Sequence, residues 1–231
     1  MRVLVTRPSL DAARTASRLA ALGHRTILDP VIEIEAQPFQ IPEDGFTAIA
    51  FTSANAVRVA AAVGAIKKIP VFAVGSRTAE VAREMGFQNV GAAAGDVNAL
   101  AETIAAELPD GARLLHLAGE DRAGDLPLSL SRSGISVETR IIYRAKVSAG
   151  LKAETIAAFG DSKIDAVLHY SERSAAAFVR LADAGGIIAD IGRARHLCLS
   201  SAVAAPLKLV GVQPEIASAP EEAALFEVLE S

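Results

Sequence analysis

Short β-branched runs alternate along this chain with segments rich in Ala, Leu, Arg and Glu at helical spacing. That alternation constrains the fold most, because strand and helix in steady succession build βα units and parallel sheets. The first unit can be read residue by residue. RVLVT is a strand, and Ser9 or Asp11 is placed to cap the helix that follows. Ala13, Ala16, Leu19, Ala20 and Leu22 line the apolar side of that helix, Gly23 ends it, and TILDPVIEIEA is extended again.

The plan then recurs. LLHLAGEDRAGDLPLSLSRSGISVETRIIYRA gives a strand, a polar turn, a helix, a stop at Gly134 and another strand. VFAVGSRTAEVAREMGFQNV compares with HLCLSSAVAAPLKLVGVQPE, where Gly75 and Gly86 both shift by 125 positions, to Ser200 and Gly211. IAFTSANAV compares with AVLHYSERSAAAF, and Ser171 follows Ser53 by 118 positions. The spacing implies two halves of similar build.

In an open parallel sheet, ligands bind beyond the carboxyl ends of the strands, where polar loops lead into helices. Five such corners stand out. They hold Thr6 and Arg7; Thr52, Ser53 and Asn55; Gly75, Ser76 and Thr78; Gly119, Glu120 and Arg122; and Ser171 with Ser174. A sixth, at Ser200 and Ser201, is less distinct. Ser and Thr at a helix start stabilise it by about 1 kcal/mol whatever the protein does. The same geometry leaves backbone N–H groups to meet an anion, so capping and anion binding are both open readings of each corner.

Composition excludes several classes. The 231 residues are 51% apolar, enough for one large or two small domains. The single cysteine, Cys198, rules out a disulfide framework and reads as a packing residue suited to a reducing compartment. No segment approaches the roughly 18 uninterrupted apolar residues of a membrane span, and the N-terminus carries no secretory signal pattern. The expectation is a cytoplasmic protein without a membrane partner. A net charge of −4 with scattered Arg and Lys argues against nucleic acid.

Nor do the common catalytic motifs occur. No serine lies in G-x-S-x-G, no phosphate-binding G-x-x-x-x-G-K-[ST] is present, and TRPSLD stands where a dinucleotide fingerprint would follow the first strand. His24, His116, His169 and His196 make no H-x-x-x-H pair, so no metal site is expected. His116, His169 and His196 lie in strand-like runs and read as structural. The two tyrosines, Tyr143 and Tyr170, are the remaining candidates. A phenol, with a reference pKa of about 10, can donate a hydrogen bond or a proton to a departing hydroxyl without a cofactor; a buried tyrosine that merely finds a partner is the alternative.

Taken in order, VTRP, PVIEIE, FTSANAV, VFAVGSRTAEVAREMGF, GDVNAL, LLHLAGEDRAGDL and IIYRA resemble the uroporphyrinogen-III synthase family over almost the whole chain. The resemblance implies an α/β fold of two flavodoxin-like parallel-sheet domains, joined by a two-stranded linker with a cleft between them. Residues 1–36 with 147–231 would form one domain and residues 38–144 the other. Pro38, Pro42 and Gly45 fit one crossing and RAKVSAG the return.

It further implies cyclisation of hydroxymethylbilane to uroporphyrinogen III, with loss of water and inversion of ring D through a spiro intermediate, and with no cofactor. The substrate is a linear tetrapyrrole with eight carboxylates, and handover from hydroxymethylbilane synthase is the implied partnership. No heptad seam calls for a dimer, so a monomer is expected. Tyr143 matches the family's favoured catalytic tyrosine, and Thr52, Ser53 and Thr78 its hydroxyls. Thr6, Arg7, Asn55, Gly75, Ser76, Gly119, Glu120 and Ser171 complete the expected substrate contacts, with Arg77, Arg122 and Arg173 beside them. The family's glycine and threonine in the last repeat are replaced here by LSSAVAAPL, which leaves Ser200 and Ser201 outside the expected site; Glu172 must turn outward to be tolerated near anions. The rival reading is a non-catalytic two-domain α/β module closing on a small anion or sugar.

Overall fold

The computed structural model describes residues 1–41, 45–122 and 124–231, so Pro42 lies outside the described residues. In chain order the strands are β1 (Arg2–Val5), β2 (Arg25–Leu28), β3 (Ile32–Ala36), β4 (Ala48–Phe51), β5 (Val71–Ala73), β6 (Val90–Ala92), β7 (Arg113–Gly119), β8 (Ser136–Val147), β9 (Ala166–His169), β10 (Arg195–Cys198) and β11 (Glu215–Ile216). The helices are α1 (Ser9–Ala21), α2 (Ala54–Ala60), α3 (Ser76–Glu84), α4 (Val97–Glu107), α5 (Leu126–Ser129), α6 (Ala153–Gly160), α7 (Glu172–Ala184), α8 (Ser201–Lys208) and α9 (Glu222–Glu230). None of these helices is long and apolar enough to cross a membrane.

The chain forms two compact units, Met1–Glu33 with Lys146–Ser231, and Ile34–Ala145. The first unit has a five-stranded parallel sheet in the order β11-β10-β9-β1-β2. The second has the order β3-β8-β7-β4-β5-β6, parallel from β8 to β6. At its edge β3 runs against β8, with Gln37 N–H bonded to Ile142 C=O; Ser148 N–H bonds to Val31 C=O within the first unit.

The recurrences read in the sequence become one strand order entered at two points. Setting β1-α1-β2 against β7-α5-β8, and β9, β10 and β11 against β4, β5 and β6, makes the two parallel arrays identical. Register agrees as well. Phe51 pairs with Ala73, and the residues 118 and 125 positions further on, His169 and Cys198, pair with each other.

Each sheet buries both faces, as parallel sheets require. In the second unit Ile49, Phe51, Leu115 and Leu117 pack against Ala56, Val57 and Ala60 of α2 and Val81 and Ala82 of α3. The alternate residues Ala48, Ala50, Phe72 and Leu114 pack against Leu100 and Ile104 of α4 and Leu126 of α5. In the first unit Val3, Val5, Leu168 and Leu197 meet Leu19 of α1 and Leu225 and Leu229 of α9. Full burial of each large apolar side chain stabilises by about 2 kcal/mol.

Three local expectations change. Neither Ser9 nor Asp11 caps α1: Pro8 is the N-cap, its C=O accepting the Ala12 N–H, and Ser9 is already helical. Gly23 does end the helix, at φ +82°. TILDPVIEIEA breaks into β2 and β3, which belong to different sheets. Pro30 has no N–H to offer a ladder, and the buried Asp29 carboxylate instead accepts the Lys152 N–H at 2.8 Å. The corner at Gly119 to Arg122 opens no helix; α5 is a single turn that begins later, with the Asp125 carboxylate accepting the Leu128 N–H.

The strand histidines are structural, as their surroundings predicted. His196 Nε2 meets Ile191 C=O at 2.9 Å and its Nδ1 lies 3.0 Å from His169 Nε2, with the rings stacked. The carbonyl can only accept, so His196 carries its proton on Nε2 and accepts from His169. His169 Nδ1 is left enclosed without a partner among the described residues, and a proton there would have no acceptor. Burial lowers His196 to about 4 and His169 well below its usual value, the latter helped by His196. His116 is also lowered to about 4 by burial, then by the charge of Arg122, against the opposing pull of Asp125. Cys198 is buried, and its thiol is pushed up to about 12.

Between about pH 6.5 and 4 the unfolded chain therefore binds protons at these three histidines that the folded chain refuses. Their contribution is fully present above about pH 6.5 and is lost as pH falls toward 4. Urea unfolding at a series of pH values should show stability declining through that window, with a shallower decline in His196→Asn. An unchanged slope in the variant would contradict the assignment.

Candidate active site

Where strand order reverses, adjacent connections leave on opposite faces and open a crevice at the carboxyl ends. In the second unit that point lies between β4 and β7. Thr52, Ser53 and Asn55 follow β4; Gly75, Ser76 and Thr78 follow β5; Gly119 and Glu120 close β7; Tyr143 stands beside Gly119 in β8. Nine of the expected residues thus share one edge of one sheet. Thr6, Arg7 and Ser171 occupy the corresponding edge of the first unit, after β1 and β9.

Ser53 caps α2, its Oγ accepting the Asn55 N–H at 3.1 Å. Thr52 Oγ1 lies 3.2 Å from His116 Nε2, while His116 Nδ1 lies 3.3 Å from Thr139 Oγ1. The neutral ring donates at one nitrogen and accepts at the other, which orients the Thr52 hydroxyl. Gly75 starts α3 without any side-chain cap. A Cβ there would come within 3.3 Å of the Gly95 Cα, so the two loops approach closely. Ser76 is exposed and Thr78 buried. Arg77 pairs with Glu80 at 3.3 Å.

Tyr143 reaches this edge through an irregularity. Up to Ala118 opposite Ile141, β7 and β8 keep constant register; then Gly119 faces Tyr143, so Ile142 is one residue extra. A bulge of this kind re-aims the side chains beyond it. Ile142 and Tyr143 are consequently both buried although they are consecutive, whereas Ile141 is 37% exposed. Glu120 N–H donates to Tyr143 C=O at 3.0 Å and holds the slipped register. The Tyr143 ring joins the core containing Phe51 and Leu117.

The first unit uses its edge differently. Thr6 is buried and its hydroxyl donates to Leu168 C=O at 3.2 Å. Glu222, at the start of α9, accepts from Thr15 Oγ1 at 2.6 Å, Tyr170 OH at 2.8 Å and Arg7 Nη1 at 3.0 Å, and also from Arg18. The Arg7 guanidinium lies 4.0 Å above the Tyr170 ring. Burial pushes Glu222 upward, but the hydrogen bonds from Thr15 and Tyr170 and the charges of Arg7 and Arg18 outweigh it, leaving the carboxyl below its usual range. Burial and the Glu222 charge raise the Tyr170 phenol. Arg7 therefore answers a carboxylate of its own chain. Ser171 caps α7, accepting the Ser174 N–H at 3.2 Å; Glu172 is exposed in the first helical turn, where a negative charge is favoured. Ser200 caps α8 in the same way.

The uroporphyrinogen-III synthase HemD family model matches residues 13–227. The chain belongs to the uroporphyrinogen-III synthase family. That family comprises cyclising lyases that act on hydroxymethylbilane in tetrapyrrole biosynthesis, and membership removes the ground for a non-catalytic binding module. The fold is also that of the uroporphyrinogen-III synthetase of Helicobacter pylori, at 19% identity over 100% of this chain and 99% of that one, with a TM-score of 0.67. A mutant uroporphyrinogen III synthase from the extremely thermophilic bacterium Thermus thermophilus matches at 19% identity over 100% and 97% of the two chains, with a TM-score of 0.52. A search of curated proteins by sequence finds no match.

Glu222, Thr15 and the Thr52–His116–Thr139 chain were not expected from sequence. Glu222→Gln removes the charge that gathers Arg7, Arg18, Thr15 and Tyr170. It should cost about 2 kcal/mol, as loss of hydrogen bonds to a charged group does. Urea denaturation reads this directly, and an unaltered midpoint would refute the network's role in seating α9.

Proposed function

We propose that the second unit's sheet edge is where this chain performs the family's ring closure, with Tyr143 as the proton or hydrogen-bond donor to the departing ring A hydroxyl. The observation that carries the reading is the bulge-directed burial of the Tyr143 ring at the strand-order reversal. Departure of that hydroxyl as water leaves an azafulvene cation. The substituted carbon of ring D then bonds to it, giving a spiro intermediate that fragments and recloses with ring D inverted. One water is lost overall. The bilane can close unaided to the uninverted isomer, so holding the chain for the spiro route is the larger part of the task.

An acidic chain has to hold eight carboxylates without a broad positive field. Backbone N–H groups at the Ser53 and Gly75 corners can do so, since α3 has no side-chain cap to occupy its first amides. Thr52, Asn55 and Ser76 add polar side chains that are not fully buried. Ser171 starts α7 as Ser53 starts α2 and offers a carboxylate the same kind of corner. We propose further that the protein acts as a monomer in the cytoplasm and receives its substrate from hydroxymethylbilane synthase.

The test generates hydroxymethylbilane in place with its deaminase, adds the protein, oxidises the products and separates the isomers. Isomer III should rise in proportion to protein. In Tyr143→Phe, turnover should fall at least about tenfold, about 1.4 kcal/mol in barrier, at unchanged melting temperature. Isomer I alone from folded wild-type protein would overturn the activity; full turnover in the variant would remove Tyr143 from it.

A further inference from the structure

Gly119 carries a constraint that its backbone does not explain. Its φ lies outside the left-handed region, unlike that of nine other glycines, so nothing in its conformation requires glycine. What requires it is the Tyr143 ring. A Cβ at Gly119 would stand 2.6 Å from Tyr143 Cζ, 2.8 Å from its hydroxyl oxygen and 2.9 Å from Cε2, whereas at every other glycine the nearest atom is 3.1 Å or more away. The contact is with the phenol end of the ring, where the reacting hydroxyl sits. Parallel register places Gly119 opposite Tyr143 only because of the extra residue Ile142.

We propose that Gly119 is a positioning residue for the family reaction, setting the Tyr143 phenol by letting it lie directly on the β7 backbone. The inference rests on the reading of Tyr143 as the donor. A side chain at position 119 would be accommodated by moving the ring tip, since β7 is laddered to β4 through Leu117 and to β8 through Gly119 itself, with Glu120 N–H bonded to Tyr143 C=O just beyond. The consequence falls on the hydroxyl's position, and ångström-scale misplacement of a reacting group can cost up to about a hundredfold in rate.

The test is Gly119→Ala, alone and combined with Tyr143→Phe. With only two tyrosines in the chain, labelling with 13Cζ-tyrosine gives two resonances, and Tyr143→Phe assigns them. Gly119→Ala should shift the Tyr143 resonance, leave that of Tyr170 in place, and lower kcat roughly tenfold or more with little change in melting temperature. In the Tyr143→Phe background the same substitution should change kcat by less than about twofold, within the non-additivity expected of coupled residues. An unmoved Tyr143 resonance overturns the proposal, and so does an equal loss of kcat in both backgrounds. A shifted resonance with full turnover in Tyr143→Phe overturns instead the reading on which the proposal rests. Should Gly119→Ala not fold, Tyr143→Leu with Gly119→Ala relieves the close approach, and failure to restore folding overturns the steric argument.

Discussion

Parallel pairing of β7 with β8 slips by one residue between Ala118 and Gly119, and the character of the second unit's sheet edge follows from that slip. Without it, alternation would put Tyr143 on the face of Ile141, which is 37% exposed. With it, Tyr143 turns into the core containing Phe51 and Leu117 and brings its phenol to the end of β7. The Glu120–Tyr143 backbone bond and the bare Cα of Gly119 are two parts of one arrangement: one holds the register, the other admits the ring.

Electrostatics divides the work between the two sheet edges. In the first unit Arg7 and Arg18 are drawn to Glu222, so the guanidinium at the first corner is committed to seating α9. In the second, Arg77 is paired with Glu80, Arg58 donates to Asn55 Oδ1 at 2.9 Å, and hydroxyls and backbone amides supply the other polar atoms at the β4 and β5 ends. A negatively charged chain can meet a polyanion on such terms because an amide's partial charge, unlike a surface arginine, needs no counter-charge of its own in the free protein.

Much of the architecture was legible because it is local. The strand runs, the Gly23 stop and the serine caps at Ser53 and Ser171 depend on residues within a few positions of each other, and the 118- and 125-position recurrences follow from the repeated plan. What escaped depends on distant partners. Glu222 meets Arg7 across 215 positions, and Thr52 meets His116 across 64. The bulge leaves no mark in RIIYRA, since Ile142 and Tyr143 read equally well as alternating or consecutive core residues. Ser9 and Asp11 failed as caps because Pro8 already has the extended backbone an N-cap needs, with φ −52° and ψ 147°.

The proposed meeting of the octacarboxylate with the carboxyl ends of β4, β5 and β7 is read by titrating uroporphyrin III into 15N-labelled protein and following backbone amides. Saturable shifts are expected at Ser53 to Asn55, Ser76 to Thr78 and Glu120, with the amino-terminal ends of the same strands unmoved. Saturable shifts confined to other surfaces, or none at these amides, would contradict it.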